Sequence, residues 1–141
     1  MAQQDYIIRM IEQLAAFLWS IIFNKEVGIY EYALEEIESA YNGLLGLDSS
    51  KIKNLEIDEI IKNNTCENGL NIGNIEAIAS LLFEEADILE RMQGINRQSG
   101  AYYQKAFSLF CIAYQESNIK RYLEKSTEVL VKLESYEKSK E

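Results

Sequence analysis

The chain has 141 residues, 48% of them hydrophobic, with a formal net charge of -9 and a pI near 4.6. That length can bury a sizeable core without disulfide or metal support, while the acidity repels phosphate backbones and, with no basic patch in the sequence, excludes nucleic-acid binding. Histidine is absent, which excludes Ser-His-Asp and Cys-His nucleophiles, His-containing zinc sites and the Glu-x-x-His di-iron bundle.

Proline is absent as well, glycine is sparse, and Ala, Leu, Glu and Lys dominate without alternating β-branched runs, so the whole chain reads as helical. A first helix is predicted from about Gln4 to Lys25, ending before Gly28. It contains the run "LAAFLWSIIF" from Leu14 to Phe23. The run is about half of the roughly 20 apolar residues that a membrane span needs. It also lacks the basic lead and small-residue cleavage site of a secretion signal, and the Lys/Arg-rich polar face of a membrane-surface helix. No membrane contact is therefore expected.

On a helical wheel, Asp5, Arg9, Glu12, Gln13, Ala16 and Ser20 fall on one narrow arc and the rest of this helix is apolar. Ile7, Ile11, Leu14, Leu18 and Ile21 form a central stripe. Ile8, Ala15, Trp19 and Ile22 flank it on one side, Met10 and Phe17 on the other. An ordinary surface helix buries a stripe somewhat over 100° wide, whereas this arc covers about two thirds of the circumference. Such a helix needs cover on more than one side. Either it is the central helix of its own bundle, or the flank of Ile8, Ala15, Trp19 and Ile22 is a candidate interface for a protein or peptide partner or a second copy.

A second helix follows from about Ile29 to Leu45, burying Tyr30, Ala33, Leu34, Ile37, Tyr41 and Leu44, with its glutamates in water. "LDSSKIKNLEIDEIIKNN" suggests two short helices, the first capped by Asp48 or Ser49. "NNTCENGLNIGN" reads as a loop with no phosphate-binding glycine pattern. A long helix from about Ile75 to Gln98 carries two apolar stripes and should be buried on two sides. A turn is expected at Ser99-Gly100, then a helix to about Glu116 with Cys111 as an ordinary core thiol. Ser117-Asn118 can cap a last helix that turns Tyr122, Leu123, Leu130 and Leu133 inward, and "YEKSKE" should fray. Tyr102, Tyr103, Tyr114 and Tyr122 suit the boundary of a core, or a half-wet groove.

The second and sixth helices share a spacing. Ala33, Ile37 and Ala40 recur as Ala106, Phe110 and Ala113, small residues admitting a neighbouring helix on either side of a large one. Tyr30 precedes the first set by three residues and Tyr103 the second, and Gly28 lies in the first turn. This pattern resembles the second helix of tetratricopeptide repeats. No proline ends either unit, and the first helices offer Ile21 and Ala86 at the position where the repeat places a small residue. Taken whole, "QDYIIRMIEQLAAFL", "YEYALEEIESAYNGLLGLD" and the repeat-like C-terminal half also resemble a family of small bacterial proteins known only as a domain of unknown function. That resemblance implies a tetratricopeptide-like helical fold and no particular activity.

One chemistry survives the loss of histidine. A carboxylate-held Mg or Mn site in a helical bundle, serving a small hydrolase, needs inward-turned acid pairs three residues apart. Glu35/Glu38 and Glu84/Asp87 have the spacing, but they fall opposite the apolar stripes and read as a solvated face; Glu85, beside Leu82 and Leu89, is the one suggestive acid. The expectation is therefore an all-α chain of tetratricopeptide-like hairpins packed as a compact bundle, about five long helices and two short ones. It should form a single domain, divided as residues 1–46, 47–73, 74–118 and 119–141. Its expected role is non-catalytic protein interaction in the cytoplasm, with no catalytic residue, metal or cofactor, and with the hydrolase as the alternative.

Overall fold

A computed structural model describes residues 2–139, with side chains from Ile8 onward. Among the described residues there are seven α-helices and one two-stranded ribbon. Helix α1 (Ala2–Glu26) and α2 (Tyr30–Ala40) form a hairpin, and α2 runs into a π-helical turn at Tyr41–Leu45. Two short helices follow, α3 (Ser49–Asn54), capped by the Asp48 carboxylate on the Ser50 amide, and α4 (Ile57–Asn63). The expected loop contains the antiparallel strands β1 (Thr65–Cys66) and β2 (Gly69–Leu70). The long helices α5 (Ile72–Gln93), α6 (Arg97–Ser117) and α7 (Lys120–Ser139) complete the chain.

The central element is α5, not α1. It packs on α1 and α2 on one side and on α6 on the other, and α7 lies against α6. Its two apolar stripes account for this: Ile75, Ile78, Leu81, Leu82, Ala86, Ile88 and Leu89 are all buried. The core they share includes Ile21 of α1, Ala33, Ile37, Ala40 and Tyr41 of the second helix, and Tyr103, Ala106, Leu109, Phe110 and Ala113 of α6. The small residues at 33, 40, 106 and 113 are wholly buried, at positions where a larger side chain would hold the next helix away. Gly28 sits exposed in the α1–α2 turn with φ +83°, and Tyr30 is half-buried.

Two helix boundaries and one helix face differ from expectation. The break after α5 comes at Gly94, whose φ of +78° favours a residue without a Cβ. Asn96 then starts α6 with a reciprocal capping box to Ser99. Ser99 and Gly100 therefore lie inside α6, not in a turn. Gly100 is there for another reason, since a Cβ on it would stand 2.6 Å from the Tyr136 ring of α7. The glycine lets two helices approach. In α7 the buried seam is Tyr122, Ser126, Val129, Tyr136 and the half-buried Leu133, a 4-3-4-3 spacing that leaves Leu123 and Leu130 exposed instead of inward. The helix also continues to Ser139 through the segment expected to fray, and Cys111 is only half-buried.

Candidate functional site

Among its described side chains, from Ile8 onward, helix α1 meets the rest of the chain along one side only. Met10, Leu14, Ile21, Asn24 and Lys25 are its buried positions, with Phe17 and Leu18 half-buried. Met10 and Leu14 pack with Ala77 of α5, beside Leu44 and Leu45 of the π-turn. The covered stripe is thus shifted from the one expected: Ile11 faces solvent, and the side chains of Asp5 and Ile7 lie outside the described residues.

The outer face is apolar and uncovered. Trp19 is 71% exposed and Ile8 54%, and Ile11, Ala15, Ile22 and Phe23 are exposed beside them. All four residues of the candidate interface, Ile8, Ala15, Trp19 and Ile22, lie on this one face. One turn apart, Trp19 and Phe23 stack with ring centroids 5.7 Å apart and planes within 2°. The pair makes a flat aromatic plate at the C-terminal end of the ridge. Val27, Ile29 and Tyr32, at the hairpin turn and the start of α2, are exposed as well. Single exposed apolar side chains are common; here Ile8, Ile11, Trp19, Ile22 and Phe23 are exposed on one face of one helix.

The inner side of α1 carries the charges that the sequence reading missed. Lys25, 5% exposed, reaches across to α5 and donates to Glu84 at 2.7 Å and Asp87 at 2.8 Å. Asp87 also accepts an ion pair from Lys132 of α7 at 3.3 Å and from Arg91 at 3.5 Å. Glu90 accepts a hydrogen bond from the Tyr103 hydroxyl at 2.5 Å. A second cluster joins Lys53 of α3 to Glu85 at 2.9 Å and to Glu38 at 3.1 Å, with Ser49 also donating to Glu38. Glu84 and Asp87 are therefore buried, not on a solvated face, and Glu85 is buried as its place beside Leu82 and Leu89 suggested. A faint sequence signal existed for Lys25, which continues the Leu14, Leu18 and Ile21 spacing by one more turn.

Physical causes set the protonation of these acids. Burial pushes the Glu84 carboxyl up, only partly offset by Lys25. Burial raises Glu85 in the same way against Lys53. At Asp87 burial acts upward too, but the Lys25 hydrogen bond and the charges of Lys25, Lys132 and Arg91 outweigh it and the carboxyl is held below its usual range. Each inward acid thus has a lysine on it. Among the described residues no group of three or more cysteine, aspartate or glutamate side chains converges as a metal site would. A cleft of about 270 Å³ is lined by the ion-paired Glu38, Lys53 and Glu85 together with Tyr102. Among the tyrosines, Tyr103 and Tyr122 are buried while Tyr102 and Tyr114 are half-buried.

The described residues include no helix long and apolar enough to cross a membrane. No curated protein and no solved structure matches the chain. A family model does, over residues 1–140, and the chain belongs to that family, DUF6483, a family of unknown function.

Proposed function

We propose that the chain is a non-catalytic protein-interaction module, a single domain of tetratricopeptide-like helical hairpins acting in the cytoplasm, with the outer face of α1 as its docking surface. The observation that carries this reading is the exposed ridge of Ile8, Ala15, Trp19 and Ile22, extended by Phe23. An exposed tryptophan next to aliphatic neighbours has the composition of an interface centre. The recurring Ala33-Ile37-Ala40 and Ala106-Phe110-Ala113 spacing supports the repeat-like architecture. The hydrolase alternative draws less support, because Glu84, Asp87 and Glu85 are bound by Lys25 and Lys53.

The reading is tested by a photo-crosslinking amino acid placed at position 19 of the full chain in the producing cell, against the same group at the exposed position 134 of α7. A discrete adduct from position 19 that is missing from position 134 is the expected outcome. Equal yields from the two positions, or none, overturn the reading.

A further inference from the structure

The ridge on α1 has a property that a general docking face does not need. Counted from Ala15, its apolar members lie at minus seven (Ile8), minus four (Ile11), plus four (Trp19) and plus seven (Ile22). This pattern is unchanged by reversal of the helix direction. A two-fold axis through Ala15 would exchange Ile8 with Ile22 and Ile11 with Trp19, setting bulky side chains against bulky ones and the two alanines at the crossing point. Small residues at a crossing allow close approach of the helix axes, and self-complementarity under a two-fold is what an isologous interface requires.

We infer that the occupant of this face is a second copy of the same chain, bound through an antiparallel α1–α1 pair centred on Ala15. The inference rests on the reading of α1 as a docking surface and goes further by naming the partner. Area supports it. The exposed fractions of Ile8, Ile11, Trp19, Ile22 and Phe23 amount to on the order of 500 Å² per chain, so these residues can supply at most about 1,000 Å² to a pair, the size at which specific interfaces begin. Charge supports it as well. Two chains of net charge -9 repel, yet residues 8–23 carry one cation, Arg9, and one anion, Glu12, so pairing through this segment sets no net charge against net charge at the seam.

The geometry sets the test. In an antiparallel pair centred on Ala15, the two Ile8 positions are fourteen residues apart along the helices, about 21 Å at 1.5 Å per residue. A disulfide needs Cα atoms within about 7 Å. In full-length chain carrying Cys66→Ser and Cys111→Ser, Ala15→Cys is expected to crosslink with itself. Ile8→Cys and Ile22→Cys are expected to crosslink only when mixed. Sedimentation of the wild type is expected to show a concentration-dependent dimer that Trp19→Glu weakens by about tenfold or more, with helicity by circular dichroism unchanged.

A dimer in which Ile8→Cys crosslinks with itself and not with Ile22→Cys overturns the antiparallel arrangement. A wild type that stays monomeric up to millimolar concentration overturns the second copy as occupant. In that case a position-19 adduct whose mass differs from that of two chains would leave the docking surface standing with a different protein on it, whereas no adduct would remove both.

Discussion

The Lys25 ammonium on α1 donates to the Asp87 carboxylate on α5 across 2.8 Å, with both side chains almost closed to water. Glu84 takes a second proton of the same ammonium at 2.7 Å. One cation therefore pins the C-terminal end of α1 to the central helix, while the opposite side of the same helix stays bare. Taking these charges out of water is costly, and their pairing offsets the cost only while every partner is present. Replacing Lys25 with Met should accordingly be among the most damaging single changes. Asp87 would keep Lys132 and Arg91, but Glu84 would lose the one cation within ion-pair distance of it among the described residues. The expected loss is about 3 kcal/mol, at the lower end for a broken buried pair, read as a lower urea midpoint. Adding Glu84→Gln should recover part of it. A Lys25→Met chain as stable as wild type would show that the pair contributes nothing.

The same acids give the stability an unusual dependence on pH. Glu84 and Glu85 have folded-state pKa values above the unfolded value of 4.5, so the folded chain binds their protons more tightly. Their contribution is complete below 4.5 and is lost as pH rises through the raised values. Asp87 works in the other direction. Its folded pKa lies below 3.8, so its contribution is present above 3.8 and disappears as pH falls through the lowered value. Relief of the -9 net charge on acidification acts with the glutamates. Unfolding free energy should therefore climb as pH falls from 7 towards 4.5 and drop below 3.8. Urea titrations across that range check it. Glu84→Gln with Glu85→Gln should flatten the climb, and a steady decline from neutrality would contradict the assignment.

The third prediction concerns how close α6 and α7 come. A methyl group on Gly100 would stand 2.6 Å from the ring of Tyr136, well inside contact distance. Alanine normally gains about 1 kcal/mol over glycine inside a helix, but overpacking of this kind costs about 1–3 kcal/mol. The net effect of Gly100→Ala should be a loss, with the C-terminal turns of α7 exchanging amide hydrogens faster. In a Tyr136→Ala background the clash is gone, so the same Gly100→Ala change should become stabilising. That reversal in a double-mutant cycle identifies the ring contact as the cause.

These residues also show where sequence reasoning succeeded and where it stopped. The helices were legible because apolar spacing and the lack of proline speak directly about local structure. Gly100 was misread because a glycine near the end of an apolar pattern looks the same whether it breaks a helix or admits a neighbour. Only the tertiary position of Tyr136, thirty-six residues later, separates the two. Glu84 and Asp87 were assigned to water because a wheel assigns charge to solvent. Their partner Lys25 is 59 and 62 residues away, and no local pattern encodes such a pairing. For α1 the width of the apolar arc is legible in the sequence. Which part of that arc is covered depends on how α5 docks, and α5 took the Met10, Leu14 and Ile21 side, leaving the Trp19 side open.

Trp19 is the only tryptophan, which makes the open side directly observable. In dilute solution its emission should be that of a water-exposed indole, as its 71% exposure requires. If two copies pair through α1, the emission should shift to shorter wavelength as concentration rises, with the midpoint matching that of sedimentation. Stability should follow the same course. A ligand that binds only the folded state raises the melting temperature with its concentration, and a second copy of the chain is such a ligand. The wild type should therefore melt higher at high protein concentration. Trp19→Glu should melt at one temperature throughout and differ from dilute wild type by no more than about 0.5–1 kcal/mol, because the side chain it removes is 71% exposed and stacks on the exposed Phe23. A large loss of stability in dilute Trp19→Glu would instead mean that the indole supports the fold of its own chain.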